Sequence, residues 1–457
     1  MNIEFRMKRI VLIGAGLSTQ SLVPYLKQRL EKEHWYLRVL DRDASVAAGR
    51  LGASTDYCSS GALDIMNLED LTSEVEQAYL VISMVPSHMH LGVAQVCLDK
   101  GVHLLTASYL IPAIKDLNDQ VQQKGLIFLN ECGLDPGIDH MSAMRLLDGI
   151  RNDGGRIKLF ESFTGGLLSP GSEGANPWRY KFTWNPRNVV LAGQGGSVKF
   201  IQEGKYKYIP PHMVFRRTEF MSVEGYGRFE GLANRDSLKY RSAYGLDDVE
   251  TLYRGTLRRP GFARAWDCFV KLGMTDDSFI IKNTDQLSFR EFTNLFLAYN
   301  PFDSVELKLM HYLNIPQDSD IMDKLKWSGI FSQSTFPFHE GTPAQCLEYI
   351  LRQVWTLEES DKDLIVMFHK VGWEKDGKDY MIESSMGVEG TDAKHTAMAT
   401  TVGLPLAIAA KNILKENIRT AGVQLPLSSE WYHPILEELE SDFGVSFVDK
   451  EVPYKGY

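Results

Sequence analysis

The chain has 457 residues, a length that at ordinary domain sizes suggests about three domains. Its 59 acidic and 49 basic residues leave a formal charge of −10, which excludes a basic nucleic-acid-binding surface as its organising feature. At 44% hydrophobic and 24% charged it can bury a large core, so disordered and fibrous classes are excluded as well. The start, Met-Asn-Ile-Glu-Phe-Arg-Met-Lys-Arg, is charged and unlike a secretory leader. The longest near-apolar stretch, Val402–Ala410, contains Gly403 and Pro405 and is too short to span a bilayer, so no membrane partner is expected. Cys58, Cys97, Cys132, Cys268 and Cys346 form no Cys-x-x-Cys pair and are odd in number, which fits a reducing cytoplasm. His88-Met89-His90 has no neighbouring acid or thiol to complete a metal site, so structural histidines and no metal are expected.

The first strand, Arg9–Ile13, runs into Gly14-Ala15-Gly16-Leu17-Ser18-Thr19, and a helical pattern of Leu22, Val23, Leu26 and Leu30 follows. A second strand, Tyr36–Leu40, ends at Asp41. Strand, glycine turn, helix, strand and terminal acid is the order of a dinucleotide-binding βαβ unit. Gly14 allows the tight turn and Gly16 the close approach of a pyrophosphate, with Leu17 and Ser18 beside the cofactor and the free N–H groups of the following helix facing that anion. Thr19 stands where a third glycine is usual. Asp41 can accept from both ribose hydroxyls and repel a 2′-phosphate, which favours NAD. Arg42 could instead pair with that phosphate, so NADP stays open.

Strands Leu80–Met84, Val102–Leu105 and Leu126–Leu129 alternate with helices, including Leu91–Asp99, and imply a doubly wound parallel sheet. Its strand-end loops, Val85-Pro86-Ser87, Thr106-Ala107-Ser108-Tyr109 and Glu131-Cys132-Gly133-Leu134-Asp135, converge on one crevice. Pro136 and Gly137 force a sharp turn before a helix over Met141–Gly149. Backbone N–H groups of this turn could line the nicotinamide side, with Glu131, Gly133, Leu134, Gly137 and Ile138 expected against the cofactor, and Asp139 is placed as a helix cap. Beyond this, strand-like segments Lys158–Ser162, Arg179–Trp184 and Val198–Phe200 are followed by helical periodicity over roughly 240–355. Leu257–Leu272, Phe289–Leu297, Val305–Leu313 and Ala344–Leu357 carry it. A hairpin at Asp376-Gly377 links Leu364–Phe368 to Tyr380–Glu383. The helix Pro434–Glu440 and strand Val445–Val448 are expected to return to the first sheet.

The run Asn130-Glu131-Cys132-Gly133-Leu134-Asp135-Pro136-Gly137-Ile138-Asp139-His140 resembles a signature of the glutamate-forming saccharopine dehydrogenases, also called saccharopine reductases. So do Thr106-Ala107-Ser108-Tyr109, Gly165-Gly166-Leu167, Asn176-Pro177, Tyr180-Lys181-Phe182-Thr183-Trp184 and Asn234-Arg235-Asp236-Ser237. Arg254-Gly255-Thr256-Leu257-Arg258 and Ala397 to Pro405 complete a series in family order over essentially the whole chain. The resemblance implies a discontinuous Rossmann domain (1–130 and 425–457), a mixed α/β substrate and dimerisation domain (131–238 and 358–424) and an all-helical insertion (239–357). It implies a homodimer and interconversion of saccharopine with glutamate and 2-aminoadipate 6-semialdehyde by NAD(P) in lysine metabolism. Tyr109 and Asp135 fall on the family's reacting-centre positions, while Thr164 stands where the family has a cysteine and brings no thiol.

That chemistry asks for these residue types. Hydride leaves a carbon beside a secondary amine, water attacks the iminium and the carbinolamine collapses, so protons must be moved several times. A carboxylate such as Asp135 can shuttle them, whereas Tyr109, with an ordinary pKa near 10, donates better than it accepts. Three substrate carboxylates call for guanidinium forks: Arg235, flanked by Asn234 and Asp236, then Arg254 and Arg258, with Lys181 and Arg187 behind and Trp184 nearby. Two other readings stay open: a carboxynorspermidine-type secondary-amine dehydrogenase, and a catalytically idle NAD-binding protein.

Overall fold

The computed structural model describes residues 7–192, 194 and 196–456; the first six residues, part of the non-leader reading, lie outside these. The chain divides into two compact units, 1–153 with 394–447 and 154–393 with 448–457. This differs from the three expected domains.

In the first unit β1 (Lys8–Ile13), β2 (Trp35–Asp41), β3 (Cys58–Ala62), β4 (Leu80–Ser83), β5 (His103–Thr106) and β6 (Ile127–Leu129) form one parallel sheet with the late strand Gly422–Gln424. The order is Gly422–Gln424, β6, β5, β4, β1, β2, β3, the doubly wound arrangement with its switch point between β1 and β4. Val11, Ile13, Leu40, Val81, Leu104 and Phe128 are buried together in one core, as expected of parallel strands covered by helices. The helix Ala397–Leu414 is long and apolar enough to cross a membrane by length and composition, yet 83% of it is buried inside the protein. Its apolar run therefore reads as core.

The second unit is built on a mixed sheet. It contains β7 (Arg156–Leu168), β8 (Val198–Gln202), β9 (Lys205–Ile209), β10 (Thr218–Val223), β11 (Gly227–Ala233) and β12 (Thr251–Arg258). After a two-stranded ribbon, β13 (Ile281–Lys282) with β14 (Glu340–Gly341), come β15 (Asp363–Lys375) and β16 (Lys378–Glu389). The order is β10, β11, β12, β7, β15, β16 and the last strand Val448–Val452, with the β8–β9 hairpin attached to β12. Lys375 pairs with Lys378 across Asp376 and Gly377, whose φ values of 53° and 71° are those of the expected tight hairpin.

Four expectations are corrected. The strand that rejoins the first sheet is Gly422–Gln424, whereas Val448–Val452 pairs antiparallel with β16. Arg179–Trp184 is irregular chain. Thr251–Arg258 lies in the region read as helical, but it is a strand buried on both sides, which leaves no alternation to reveal it. The helices Phe262–Leu272 and Pro343–Trp355 share one core with Phe163, Tyr253, Leu257 and Phe368 of the sheet, so the helical segment is no separate body.

Candidate functional site

At the end of β1, Gly14 has φ +93°, and a Cβ there would lie 2.7 Å from Met84 O. Only glycine fits without moving β4. Gly16 has open space, with nothing within 4 Å of a built Cβ, and Leu17 beside it is 63% exposed. This open face fits the pyrophosphate of a dinucleotide. The helix begins at Leu22, after a 3₁₀ turn over Leu17–Thr19, and Thr19 Oγ1 donates to Gly16 O at 2.7 Å to hold the turn. Ser18 is half-buried in that turn. The close helix packing that a third glycine usually allows comes instead from Gly403, whose Cβ would meet Ser18 O at 2.7 Å.

Asp41 Oδ2 accepts the Ala15 N–H at 2.8 Å and Oδ1 the Asp43 N–H at 3.1 Å. It therefore braces the glycine loop as well as ending β2. Arg42 is exposed, and Asp43 caps the helix Ala44–Leu51. Arg50, on the last turn of that helix, donates from Nε to Ala15 O at 3.3 Å. It is a cation beside the loop that sequence reasoning missed. The signal available was an Asp cap with a basic residue seven positions on.

At the switch point, Val85 is half-buried after β4. Ser83 Oγ lies 2.9 Å from His90 Nδ1, and His90 Nε2 lies 2.7 Å from Ser108 Oγ. Burial pushes the His90 pKa down to about 4, so the ring is neutral at neutral pH and bridges two hydroxyls. Thr106 Oγ1 accepts the Ser108 N–H, and Ala107 packs so tightly on Gly133 that a Cβ on the latter would lie 2.9 Å away. Tyr109 reaches Asp135 Oδ1 at 3.4 Å, the long end of a hydrogen bond. Asp135 is half-buried, while every other residue from Glu131 to His140 is buried. Gly133, Leu134, Gly137 and Ile138, expected against the cofactor, are packed in this turn's interior, and a Cβ on Gly137 would lie 2.0 Å from Gly133 O. Glu131 is the clearest departure. Its side chain is 0% exposed, with Oε1 accepting the Leu110 N–H at 2.8 Å and Oε2 lying 2.8 Å from His140 Nε2.

In the second unit Asn234, Thr256, Arg258, Phe262 and Trp266 line a cavity of about 60 Å³, room for a carboxylate-sized group. Arg258 is 8% exposed, lies over the Tyr180 and Phe262 rings at 5.1 and 5.4 Å, and donates to Leu257 O. Burial holds its guanidinium below the usual range. A buried cation with no carboxylate beside it among the described residues suits an anionic ligand. Arg254 is buried over the Tyr240 ring at 4.6 Å. Arg235, the first choice, is exposed, and Asp236 caps the turn Ser237–Tyr240 and lies 3.4 Å from Lys199 Nζ. Lys181 is committed to Asp361 at 2.7 Å, and Arg187 to Asp277 and Glu348. Trp184 is 37% exposed, and Thr164 is buried in β7 with its hydroxyl unpaired among the described residues.

The family profile of the saccharopine dehydrogenase NADP binding domain matches residues 10–129, and that of the saccharopine dehydrogenase C-terminal domain matches residues 133–445. The chain belongs to the saccharopine dehydrogenase family. It is 30% identical to the saccharopine dehydrogenase (NADP(+), L-glutamate-forming) of Pyricularia oryzae, over 97% of this chain and 99% of that protein. It is 31% identical to the mitochondrial alpha-aminoadipic semialdehyde synthase of Rattus norvegicus, over 96% of this chain but 47% of that protein, about half its length. Among solved structures it is similar to the apo saccharopine dehydrogenase (L-Glu forming) of Saccharomyces cerevisiae, with a TM-score of 0.86 and 27% identity, covering 98% and 100% of the two chains. As a saccharopine dehydrogenase family member the protein is an oxidoreductase that uses a nicotinamide dinucleotide. The profile and the relatives' names favour NADP, against the expectation of NAD that Asp41 raised.

Proposed function

We propose that this protein interconverts saccharopine and water with glutamate and 2-aminoadipate 6-semialdehyde, using NAD(P) as hydride acceptor or donor. The observation that carries the reading is Asp135. It alone of Glu131–His140 is incompletely buried, within reach of Tyr109, in a chain aligned end to end with the L-glutamate-forming Pyricularia oryzae enzyme. The dinucleotide, when bound, supplies hydride transfer at the substrate carbon. The half-buried carboxylate of Asp135 takes the proton from the attacking water and returns one to the departing amine, while the Tyr109 hydroxyl orients that carboxylate. Arg258, Asn234 and Arg254 are the groups suited to substrate carboxylates.

For the 2′-phosphate of NADP, Arg42 and Arg50 are the available cations near the glycine loop, and Asp41 is the opposing charge. Initial rates at 340 nm with saccharopine and each dinucleotide test both points. Turnover with saccharopine is expected with either cofactor in excess, and no absorbance change with both would overturn the reading. Asp135→Asn is expected to cost about 10²–10⁴ in kcat if the carboxylate moves protons.

A further inference from the structure

Glu131 touches the chain on both sides of Tyr109. Its N–H donates to Ser108 O at 3.1 Å, and its Oε1 accepts the Leu110 N–H at 2.8 Å. Its other oxygen lies 2.8 Å from His140 Nε2. The far nitrogen of that ring, Nδ1, stands 3.7 Å from Asp139 Oδ2, and Asp139 Oδ1 accepts the Gly137 N–H at 2.6 Å. Gly137 closes the turn that carries Asp135 and Pro136. A line of contacts therefore runs from both flanks of Tyr109, through a carboxylate, an imidazole and a second carboxylate, to the backbone beneath Asp135.

Two features argue against a packing role alone. Glu131 adopts φ +58°, the left-handed region that a residue with a Cβ seldom takes without an overriding constraint. Its carboxylate and the His140 ring are 0% exposed, so both are desolvated where apolar side chains would fill the space at less cost. We propose that Glu131, braced from behind by His140, is a positioning residue that fixes Tyr109 against Asp135 rather than a cofactor contact. This rests on the functional reading above, in which Tyr109 and Asp135 form the working pair.

The test uses the full-length protein with Glu131→Ala, Glu131→Gln and Tyr109→Phe, singly and combined. Glutamine keeps an acceptor for the Leu110 N–H and a polar group facing His140; alanine keeps neither. Glu131→Ala is expected to lower kcat for saccharopine oxidation about 10- to 100-fold, and Glu131→Gln to recover most of it. The Kd of the dinucleotide, read by NADPH fluorescence, is expected to stay within about twofold. In the Tyr109→Phe background the alanine change should add less than about twofold, because its effect runs through Tyr109. Equal losses in both backgrounds, or a raised dinucleotide Kd with kcat unchanged, would overturn the proposal.

A second readout needs no turnover. 3-Fluorotyrosine placed at position 109 is expected to give one ¹⁹F resonance that shifts in Glu131→Ala and returns in Glu131→Gln; an unmoved resonance would equally overturn it. If Glu131→Ala does not fold, Glu131→Asp, one methylene short of the Leu110 N–H, replaces it in both measurements. Absence of saccharopine turnover in the unmodified protein would sink the functional reading, while the fluorine resonance still decides the placement of Tyr109.

Discussion

A carboxylate that accepts two backbone N–H groups holds a loop and sets a local field at the same time. Asp41 does both, holding Ala15 and Asp43 while placing negative charge where a ribose would end. Asp41→Ala removes the repulsion of a 2′-phosphate together with one anchor of the glycine loop. The expected outcome is a ratio of kcat/KM for NADPH over NADH raised about tenfold, with both absolute values lowered by the looser loop. Initial rates with the two reduced cofactors check it, and an unchanged ratio would remove Asp41 from cofactor selection. The acid was legible because it ends a strand one βαβ unit after two glycines. Its second duty was not, because the Ala15 N–H is 26 residues away in sequence. Glu131 and Arg50 were misread or missed for the same reason: their partners are defined by the return of the chain, which no local spacing encodes.

At the scale of elements, the helix Ala397–Leu414 replaces the missing third glycine from nearly four hundred residues downstream. Gly403 lets it lie on the Ser18–Leu22 backbone, where an added Cβ would meet Ser18 O at 2.7 Å and Leu22 N at 3.1 Å. Neither atom belongs to a side chain that could swing away, so Gly403→Ala must displace the glycine loop or the helix. The expected cost is about 1–3 kcal/mol of stability. The dinucleotide Kd is expected to rise about tenfold, read by NADPH fluorescence alongside a thermal melt. A variant that melts normally and binds normally would show that the helix can shift without disturbing the loop. Strand edges and helix existence in the first sheet were legible from apolar runs bounded by Gly and Pro. The strands β3 and β12 were not: Cys58-Ser59-Ser60-Gly61-Ala62 has almost no apolar signal, and β12 is buried on both faces. The last strand is largely exposed, so it carries no apolar pattern that tells which sheet edge it joins.

For the molecule as a whole, two buried groups in different units tie stability to pH with opposite sign. In the first unit, burial holds His90 at about 4 against an ordinary 6.5. The unfolded chain binds the extra proton between those values, so this contribution is complete above pH 6.5 and is lost as pH falls through about 4. In the second unit, burial first, and then the nearby Glu219, raise Glu161 to about 7 from 4.5, against the pull of Lys370. Here the folded chain keeps the proton, so the contribution is present below pH 4.5 and lost as pH rises through about 7. Each displacement corresponds to about 3 kcal/mol across its window, and between pH 4.5 and 6.5 the two slopes oppose. Glu161→Gln should therefore leave stability that climbs with pH over this interval, and His90→Gln stability that declines, while the unmodified protein stays comparatively flat. Thermal unfolding of the three proteins at about pH 5 and about pH 7 reads the signs directly. Where two unfolding steps are resolved, each substitution should move only the step of its own unit, since the two groups sit in separate compact bodies. Slopes of the same sign in both variants would mean that neither buried group governs the pH response, and that the surface ion pairs do.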